Sequence, residues 1–186
     1  MDISKEFVET ATLGGGCFWC TEAQLLELDG VISVESGYSG GHVLNPSYRE
    51  VCLGITGHAE VVQVRFDKRK LSYYDILFAF FISHDPTQLN RQGNDVGTQY
   101  RSVIYYHSEE QHQRAEGIIN EFTEKKIFDA PIVTEVSAFT NFYKAEDYHQ
   151  NYYSNNPEQP YCYYVIGPKM EKFRKVFAGK LKVDKK

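Results

Sequence analysis

The chain of 186 residues has no long apolar run. A helix needs about 20 consecutive, mostly apolar residues to cross a bilayer, so we expect no membrane span. The first residues, MDISKEFVETATL, also lack the apolar core of a signal peptide, which favours a cytoplasmic protein. The chain also carries no excess of positive charge. The formal net charge of −5 argues against a nucleic-acid-binding protein.

Cysteine is scarce, with four residues in the chain. In a reducing compartment, four cysteines are more typical of catalytic, metal-binding or inert thiols than of a disulfide framework. Cys17 and Cys20 form a C-x-x-C pair, which can be half of a zinc site, and Cys52, His58 and Cys162 could supply the other ligands. Because no second C-x-x-C and no H-x-x-x-H occurs, we expect no bound metal.

Internal repeats, low-complexity stretches and linker-like shifts in composition are absent, so we expect a single domain over residues 1–186. Period-two patterns predict strands over Thr10–Leu13, Val31–Tyr38, Ala59–Asp67, Ser102–His107 and Ile132–Ala138. Helical periodicity and capping signals predict helices over Thr21–Leu28, Ser72–Ser83, Ser108–Lys125, Ala145–Tyr153 and Lys169–Phe177. This interleaved order indicates an α+β fold, a two-layer sandwich with a mixed sheet.

One segment interrupts this pattern. Residues Asp85–Tyr100, DPTQLNRQGNDVGTQY, have almost no apolar periodicity and are rich in Asn, Gln and Gly. Loops of this length inside a compact domain are usually functional or disordered. The segment is therefore either a loop that presents polar side chains to a ligand or a solvated excursion.

The stretch GGGCFWC, residues 14–20, carries the strongest chemical signal. A strand, three glycines, a cysteine and a helix follow one another, which places Cys17 near a helix N-terminus. The helix dipole and the free backbone N–H groups there favour an anion, so we expect the thiol to ionise easily and act as a nucleophile. The alternative is a tight turn that holds a buried, inert cysteine.

Cys20 follows three residues later, and C-x-x-C at a helix start is also a redox pair in which one thiol attacks and the other resolves. Phe18 and Trp19 lie between the two cysteines. They could line an apolar pocket beside the thiol, where sulfur makes favourable contacts with aromatic rings, or they could pack in the core. The chain is rich in aromatic residues, with 14 Tyr and 12 Phe, and this suits either role.

Glu60 interrupts an apolar pattern. In the predicted strand it falls on the same face as Val62, Val64 and Phe66. A carboxyl group on an apolar face has a raised pKa, and a protonated carboxyl beside a nucleophile can act as a general acid. The alternative is that Glu60 lies in water at the frayed end of the strand.

Five segments together resemble the A-type peptide methionine sulfoxide reductases. They occur in order over about residues 10–165, ahead of a C-terminal helix and tail at 166–186, and they are GGGCFWC (14–20), SGYSGG (36–41), GHAEVVQVRFD (57–67), HDPTQLNRQGNDVGTQYRS (84–102) and AEDYHQNYY (145–153). The resemblance implies a two-layer sandwich with a ferredoxin-like core. It also implies reduction of the S epimer of methionine sulfoxide, free or in oxidised proteins, as a repair activity under oxidative stress.

The resemblance also implies site residues. Cys17 matches the nucleophile, Glu60 the acid, and Tyr38 and Tyr100 the tyrosines that hydrogen-bond the sulfoxide oxygen. The remaining matches concern substrate binding, and they are Phe18, Trp19, Asp95 and His149.

The same resemblance implies an enzyme without a bound cofactor. Its reductant is thioredoxin, replaced by dithiothreitol in vitro, and it works as a monomer. The resolving thiol stays open between Cys20 and Cys162, because either can condense with a sulfenic acid at Cys17. We expect Cys52 to be a small buried apolar residue. The rival functions are a thioredoxin-like thiol–disulfide oxidoreductase, a non-catalytic peptide-binding module and a structural zinc protein.

Overall fold

The computed structural model of the protein describes residues 4–183. Its centre is a six-stranded sheet with strand order β7-β6-β1-β3-β2-β8. These strands are β1 (Val8–Gly14), β2 (Val31–Ser39), β3 (Ala59–Asp67), β6 (Val103–Tyr106), β7 (Glu135–Ala138) and β8 (Tyr143–Lys144). A separate hairpin joins β4 (Arg91–Gln92) to β5 (Asp95–Val96). The pair β6–β7 is parallel and the other pairs are antiparallel, which confirms the predicted mixed sheet.

Four longer helices accompany the sheet, and two short ones connect it to the loops. The helices are α1 (Phe18–Leu26), α2 (Tyr48–Cys52), α3 (Tyr73–Ser83), α4 (Glu109–Glu124), α5 (Tyr152–Asn155) and α6 (Gly167–Val176). Helix α1 packs on β2 and β3, α3 on β1, and α4 on β6 and β7. Helix α6 lies against α1 and α3 and is preceded by a π-helical turn, Cys162–Ile166.

Local capping explains where the predicted helices begin. The Ser72 hydroxyl accepts the backbone N–H of Asp75 at 3.1 Å, and the Asp75 carboxylate accepts the backbone N–H of Ser72 at 2.8 Å. This reciprocal capping box satisfies two donors that the first turn of α3 leaves free. Ser108 caps α4 by accepting the backbone N–H of Gln111. Both starts were predicted from the sequence.

The main core lies between the sheet and these helices. Val62, Val64 and Phe66 of β3 belong to one buried cluster with Phe80 and Phe81 of α3, and all five are inaccessible to solvent. Fully burying such a side chain contributes about 1.5–3 kcal/mol. The apolar face of β3 therefore anchors the strand that carries Glu60 at its start.

The structure differs from the sequence prediction in several segments. The predicted helix over 145–153 is instead a 3₁₀ turn, Asp147–His149, followed by α5. Asn151 separates the two with a left-handed φ of 52°, and its backbone N–H donates to the Glu22 carboxylate at 3.0 Å. Helix α2 was missed, although Ser47 and Glu50 form a capping box. The loop Asp85–Tyr100 holds the β4–β5 hairpin and a 3₁₀ turn.

Within residues 4–183, none of the helices is both long and apolar enough to cross a membrane.

His84 joins the end of α3 to the start of β6. Its Nδ1–H donates to the carbonyl of Phe80 at 2.7 Å, so Nε2 is free to accept from the Ser102 hydroxyl, also at 2.7 Å. The Ser102 oxygen in turn lies 2.8 Å from the Thr134 hydroxyl. Burial lowers the pKa of His84 to about 4, which keeps the ring neutral and this bonding pattern intact.

We expect His84 to make folding sensitive to acid. The folded pKa lies below the ordinary value of 6.5, so the unfolded chain binds a proton first and stability falls as pH drops from 6.5 toward 4. His84→Asn keeps a donor for the Phe80 carbonyl but does not titrate. Between pH 7 and 4.5, urea unfolding should therefore show a loss of stability smaller by about 2 kcal/mol in this variant than in the wild type. Equal losses would contradict the assignment.

Candidate active site

A glycine-rich loop connects β1 to α1 and places Cys17 immediately before the first helical residue. Gly16 has a φ of +82°, which residues with a side chain rarely adopt. A Cβ atom on Gly15 would lie 2.9 Å from the His84 ring, and one on Gly16 would lie 2.8 Å from the Gln92 side chain. The glycines are therefore needed both for backbone conformation and for close packing behind the thiol.

The Cys17 thiol is half-buried, and its surroundings oppose the ionisation expected from the sequence. Burial raises the pKa of Cys17 well above the usual thiol value, and a hydrogen bond with Cys20 and the nearby Glu60 carboxyl act in the same direction. Removal of water thus outweighs the helix N-terminus in the substrate-free protein. The prediction that this thiol ionises easily at rest is wrong.

Glu60 lies where the period-two pattern predicted it. Its side chain is buried on the face of Val62 and Val64, and its Oε2 atom accepts the backbone N–H of Phe18 at 3.1 Å. Burial raises the pKa of Glu60 to about 8, so the carboxyl is mainly protonated at neutral pH. The alternative of a frayed strand end in water is wrong. An uncharged carboxylic acid and a thiol thus flank the first residue of α1.

The two predicted tyrosines lie around this pair. Tyr38 is buried on β2 directly opposite Glu60 in the sheet register, and its hydroxyl donates to Glu146 at 3.3 Å. Tyr100 closes the 3₁₀ turn after the β4–β5 hairpin, and its carbonyl accepts the backbone N–H of Gly16 at 3.2 Å. Burial raises the pKa of both phenols. Both side chains therefore remain hydrogen-bond donors at neutral pH.

The aromatic residues between the cysteines have different surroundings. Phe18 is buried in the main core, with its ring centroid 5.8 Å from that of Tyr38. Trp19 is half-buried and stacks on Tyr152 with centroids 3.7 Å apart and planes 5° apart. Tyr161 meets the indole edge-on at 5.9 Å. Phe18 is thus mainly a core residue. Trp19, Tyr152 and Tyr161 pack together and form what we call the aromatic wall.

Asp95 and His149 were predicted to bind substrate, and each has a hydrogen-bond partner within the protein. The Asp95 carboxylate accepts the hydroxyl of Tyr161 at 2.6 Å. His149 has no accessible surface, and its Nδ1 accepts the indole N–H of Trp19 at 3.0 Å. His149 therefore contacts the aromatic wall through Trp19, and Asp95 of the β4–β5 hairpin contacts it through Tyr161.

The four cysteines are free thiols, and three of them gather at this site. Cys20 and Cys162 are buried in one small apolar cluster against which Cys17 packs. The expectation that Cys52 is buried is wrong, because its side chain is exposed at the end of α2. This short helix was not predicted from the sequence. In the part of the chain that the structure describes, no group of three or more His, Cys, Asp or Glu side chains could hold a metal ion.

Sequence reasoning missed several residues that contact the predicted ones, among them Glu146 and Tyr161. Glu146 accepts the hydroxyl groups of Tyr38 and Tyr148, and Tyr161 bonds Asp95. Glu146 lies in the segment AEDYHQNYY and Tyr161 precedes Cys162, but neither position carries a periodic signal. Only the fold brings them to the site.

Comparison with known proteins identifies the class. Residues 9–181 match the family model for peptide methionine sulfoxide reductase. The peptide methionine sulfoxide reductase MsrA of Saccharolobus solfataricus is 58% identical over 176 residues, which cover 95% of this chain and 98% of that protein. MsrA of Leptospira borgpetersenii is 58% identical over 168 residues, which cover 90% of this chain and 94% of that protein.

Solved structures show the same similarity. Mxr1 of Saccharomyces cerevisiae in its reduced form has a TM-score of 0.80 and 35% identity, covering 87% of this chain and 93% of Mxr1. Methionine sulfoxide reductase A of Corynebacterium diphtheriae has a TM-score of 0.79 and 37% identity, covering 84% of this chain and 78% of that chain. Mxr1 in complex with Trx2 has a TM-score of 0.58 and 26% identity, covering 82% of this chain and 89% of that chain.

The α+β fold and these matches define an oxidoreductase that acts on methionine sulfoxide. The chain belongs to the peptide methionine sulfoxide reductase family, which confirms the resemblance carried by the five sequence segments.

We expect the buried Glu60 to lower stability at neutral and alkaline pH. Its folded pKa of about 8 lies above the ordinary value of 4.5, so its contribution is complete below pH 4.5 and is lost as pH rises through 8. Glu60→Gln keeps an acceptor for Phe18 and does not titrate. Relative to wild type, its free energy of unfolding should rise by about 3 to 4 kcal/mol between pH 5 and pH 8.

Urea unfolding at several pH values measures this difference. The exposed Glu110 of α4 offers a matched control, because Glu110→Gln removes a carboxyl group from the surface. A Glu60→Gln variant that follows the wild-type pH dependence, as the control should, would refute the raised pKa.

Proposed function

We propose that the enzyme reduces the S epimer of methionine sulfoxide, free or in oxidised proteins, with Cys17 as nucleophile and Glu60 as general acid. The observation that carries this proposal is the buried Glu60 carboxyl bonded to the backbone N–H of Phe18, next to Cys17. A carboxyl with a pKa of about 8 holds its proton at neutral pH and can give it to an oxygen that gains charge.

In the first step, the Cys17 sulfur attacks the sulfoxide sulfur while Glu60 protonates the sulfoxide oxygen. This attack forms a bond between the two sulfur atoms. The oxygen then bonds to the Cys17 sulfur as the S–S bond and the substrate S–O bond break, so methionine leaves and Cys17 becomes a sulfenic acid. The proton of the Cys17 thiol restores Glu60, so the sulfoxide and the thiol together give one thioether and one sulfenic acid. The raised pKa of Cys17 fits a thiol that loses its proton only when substrate is in place.

Tyr38 and Tyr100 would hydrogen-bond the sulfoxide oxygen as it gains negative charge. Two features support this role: Tyr38 is directly opposite Glu60 in the sheet, and both phenols stay protonated at neutral pH. Donors that are fixed before the reaction stabilise a developing oxyanion without reorganisation. In the resting protein the Tyr38 hydroxyl donates to Glu146 at 3.3 Å, a long bond that substrate can replace.

The substrate would lie against Phe18 and Trp19, which offer apolar surface to its methyl group, with Asp95 holding a polar part. The aromatic wall beside Cys17 supports the first assignment. For Asp95, the partly buried carboxylate in the hairpin supports the second, and substrate would take the place of Tyr161. His149 would contribute through Trp19.

A second thiol would then condense with the sulfenic acid, forming a disulfide and releasing water. We propose that Cys20 does so before Cys162. Cys20 lies in the first turn of α1, where its backbone N–H donates to the Cys17 carbonyl at 3.1 Å, and its thiol bonds that of Cys17. Cys162 begins a π-helical turn and is fully buried, so it must leave a helix to form the bond.

Thioredoxin would regenerate the dithiol by exchange, and dithiothreitol would replace it in vitro. The structural similarity to Mxr1 in complex with Trx2 supports a thioredoxin-type partner. The biological role would be repair of oxidised proteins under oxidative stress, in a reducing compartment such as the cytoplasm. Four free thiols in one chain fit that compartment.

We also propose a single domain that acts as a monomer, a two-layer sandwich with a ferredoxin-like core. The chain order β1-α1-β2-β3-α3-β6 and the sheet order β6-β1-β3-β2 support this core, because they form a β-α-β-β-α-β unit. The packing of α1 and α3 on its strands supports two layers.

Glu60→Gln should slow the chemical step far more than it weakens substrate binding. Loss of a positioned general acid reduces the rate by roughly 10²-fold or more. Single-turnover reduction of the separated sulfoxide epimers, followed by methionine release, measures the rate and the half-saturating concentration independently. In wild type the rate for the S epimer should fall above about pH 8, as Glu60 loses its proton, and this fall should be absent in the variant.

Cys17→Ser should abolish methionine release from the S epimer. A Glu60→Gln variant with an unchanged rate and a raised half-saturating concentration would overturn the acid role. Residual turnover of one tenth in Cys17→Ser would overturn the nucleophile.

The order of the resolving thiols can be read from the disulfide that forms after one turnover without reductant. Cys162→Ser should still form the Cys17–Cys20 disulfide at the wild-type rate. In Cys20→Ser, disulfide formation should slow at least tenfold and sulfenic acid should accumulate, because the π-helical turn has to open first. Mass spectrometry of trapped samples distinguishes these species. Disulfide formation at the wild-type rate in Cys20→Ser would assign first resolution to Cys162.

A further inference from the structure

The orientation of Trp19 depends on two contacts of different kinds. The indole stacks on Tyr152 with planes only 5° apart, which fixes the plane of the ring. Stacking alone still allows the indole to rotate within that plane. The hydrogen bond from the indole N–H to Nδ1 of His149, 3.0 Å long, fixes this remaining rotation.

His149 is held so that Nδ1 can accept. The ring is completely buried and packs against Phe18, Tyr48 and Tyr148, with centroid distances of 5.2, 4.4 and 4.1 Å. A neutral imidazole carries one proton, so an accepting Nδ1 places that proton on Nε2. Burial lowers the pKa of His149 and thereby favours this neutral form.

The other nitrogen of the ring faces Glu146. His149 Nε2 lies 3.5 Å from a carboxylate oxygen of Glu146 and has no closer partner. A negative oxygen at this distance favours the proton on Nε2, which leaves Nδ1 as the acceptor. Glu146 also accepts the Tyr38 hydroxyl, so the pair His149–Glu146 connects the aromatic wall to the tyrosine opposite Glu60.

We propose that His149 is a positioning residue that holds the Trp19 indole in its substrate-binding orientation through Nδ1, with Glu146 selecting the tautomer. His149 is completely buried and its Nδ1 already accepts the indole N–H of Trp19, so we infer that it acts through Trp19. This inference rests on the proposed role of Trp19 in the pocket. The family resemblance implied that His149 contacts substrate, whereas this proposal gives His149 the role of orienting Trp19.

Two substitutions distinguish the roles of the two ring nitrogens of His149. His149→Asn places an amide oxygen near the position of Nδ1 and can still accept the indole N–H. His149→Gln places its amide near the position of Nε2 and leaves the indole without an acceptor. The pair is matched in chemistry, since both variants replace the ring by an amide.

Trp19 is the only tryptophan, so fluorescence excited selectively at the indole reports the surroundings of this one side chain. His149→Gln should shift the emission maximum and increase quenching by acrylamide, while His149→Asn should remain close to wild type. In single-turnover assays with the S sulfoxide, His149→Gln should raise the half-saturating concentration about tenfold, the effect of one lost hydrogen bond, and change the maximal rate much less. His149→Asn should stay within about threefold of wild type.

A cycle with Trp19→Phe tests whether His149 acts only through the indole. If it does, His149→Gln causes no further rise in the half-saturating concentration once the indole is gone. The same rise in both backgrounds would overturn the proposal. Equal fluorescence and equal kinetics of the Asn and Gln variants would also overturn it.

One further outcome separates this inference from the proposed function. A shifted emission in His149→Gln with unchanged kinetics would refute the pocket role of Trp19 and the proposal with it. Assignments of Cys17 and Glu60 would remain, because their own variants test them.

Discussion

The hydrogen bond from the backbone N–H of Phe18 to the Glu60 carboxyl joins two elements that are 42 residues apart in the chain. It fixes the first turn of α1 against the start of β3. The apolar face of β3 holds the carboxyl in the core, and the same burial raises its pKa to about 8. One interaction thus orients the helix that carries the thiol and keeps an acid beside it protonated.

The sequence predicted what local patterns encode. Strand β3 and the Ser72 cap of α3 follow from period and capping. The period placed Glu60 on the apolar face of the strand but left open whether its side chain is buried, as the structure has it. The pKa of Cys17 could not be predicted in the same way, because the helix start is visible in the sequence but the burial of the thiol is not. Cys52 ends a five-residue helix too short to reveal its exposed face.

Long-range contacts account for the rest of the site. Trp19 and His149 are 130 residues apart, and Asp95 and Tyr161 are 66 apart. No periodicity connects such positions, and recognition of a family marks them as important without giving the contact. The left-handed Asn151 is similar, since its conformation depends on the distant Glu22 carboxylate. The fold predicted by the sequence is therefore more complete than the site.

The bond between Tyr161 and Asp95 has a consequence for affinity. A ligand that uses Asp95 meets a protein in which that carboxylate already has a 2.6 Å partner. The measured dissociation constant then equals the intrinsic one divided by the fraction of molecules in which Tyr161 has turned away. Under the proposed role of Asp95, this competition would make binding selective, because a ligand that engages the carboxylate weakly would not displace the phenol.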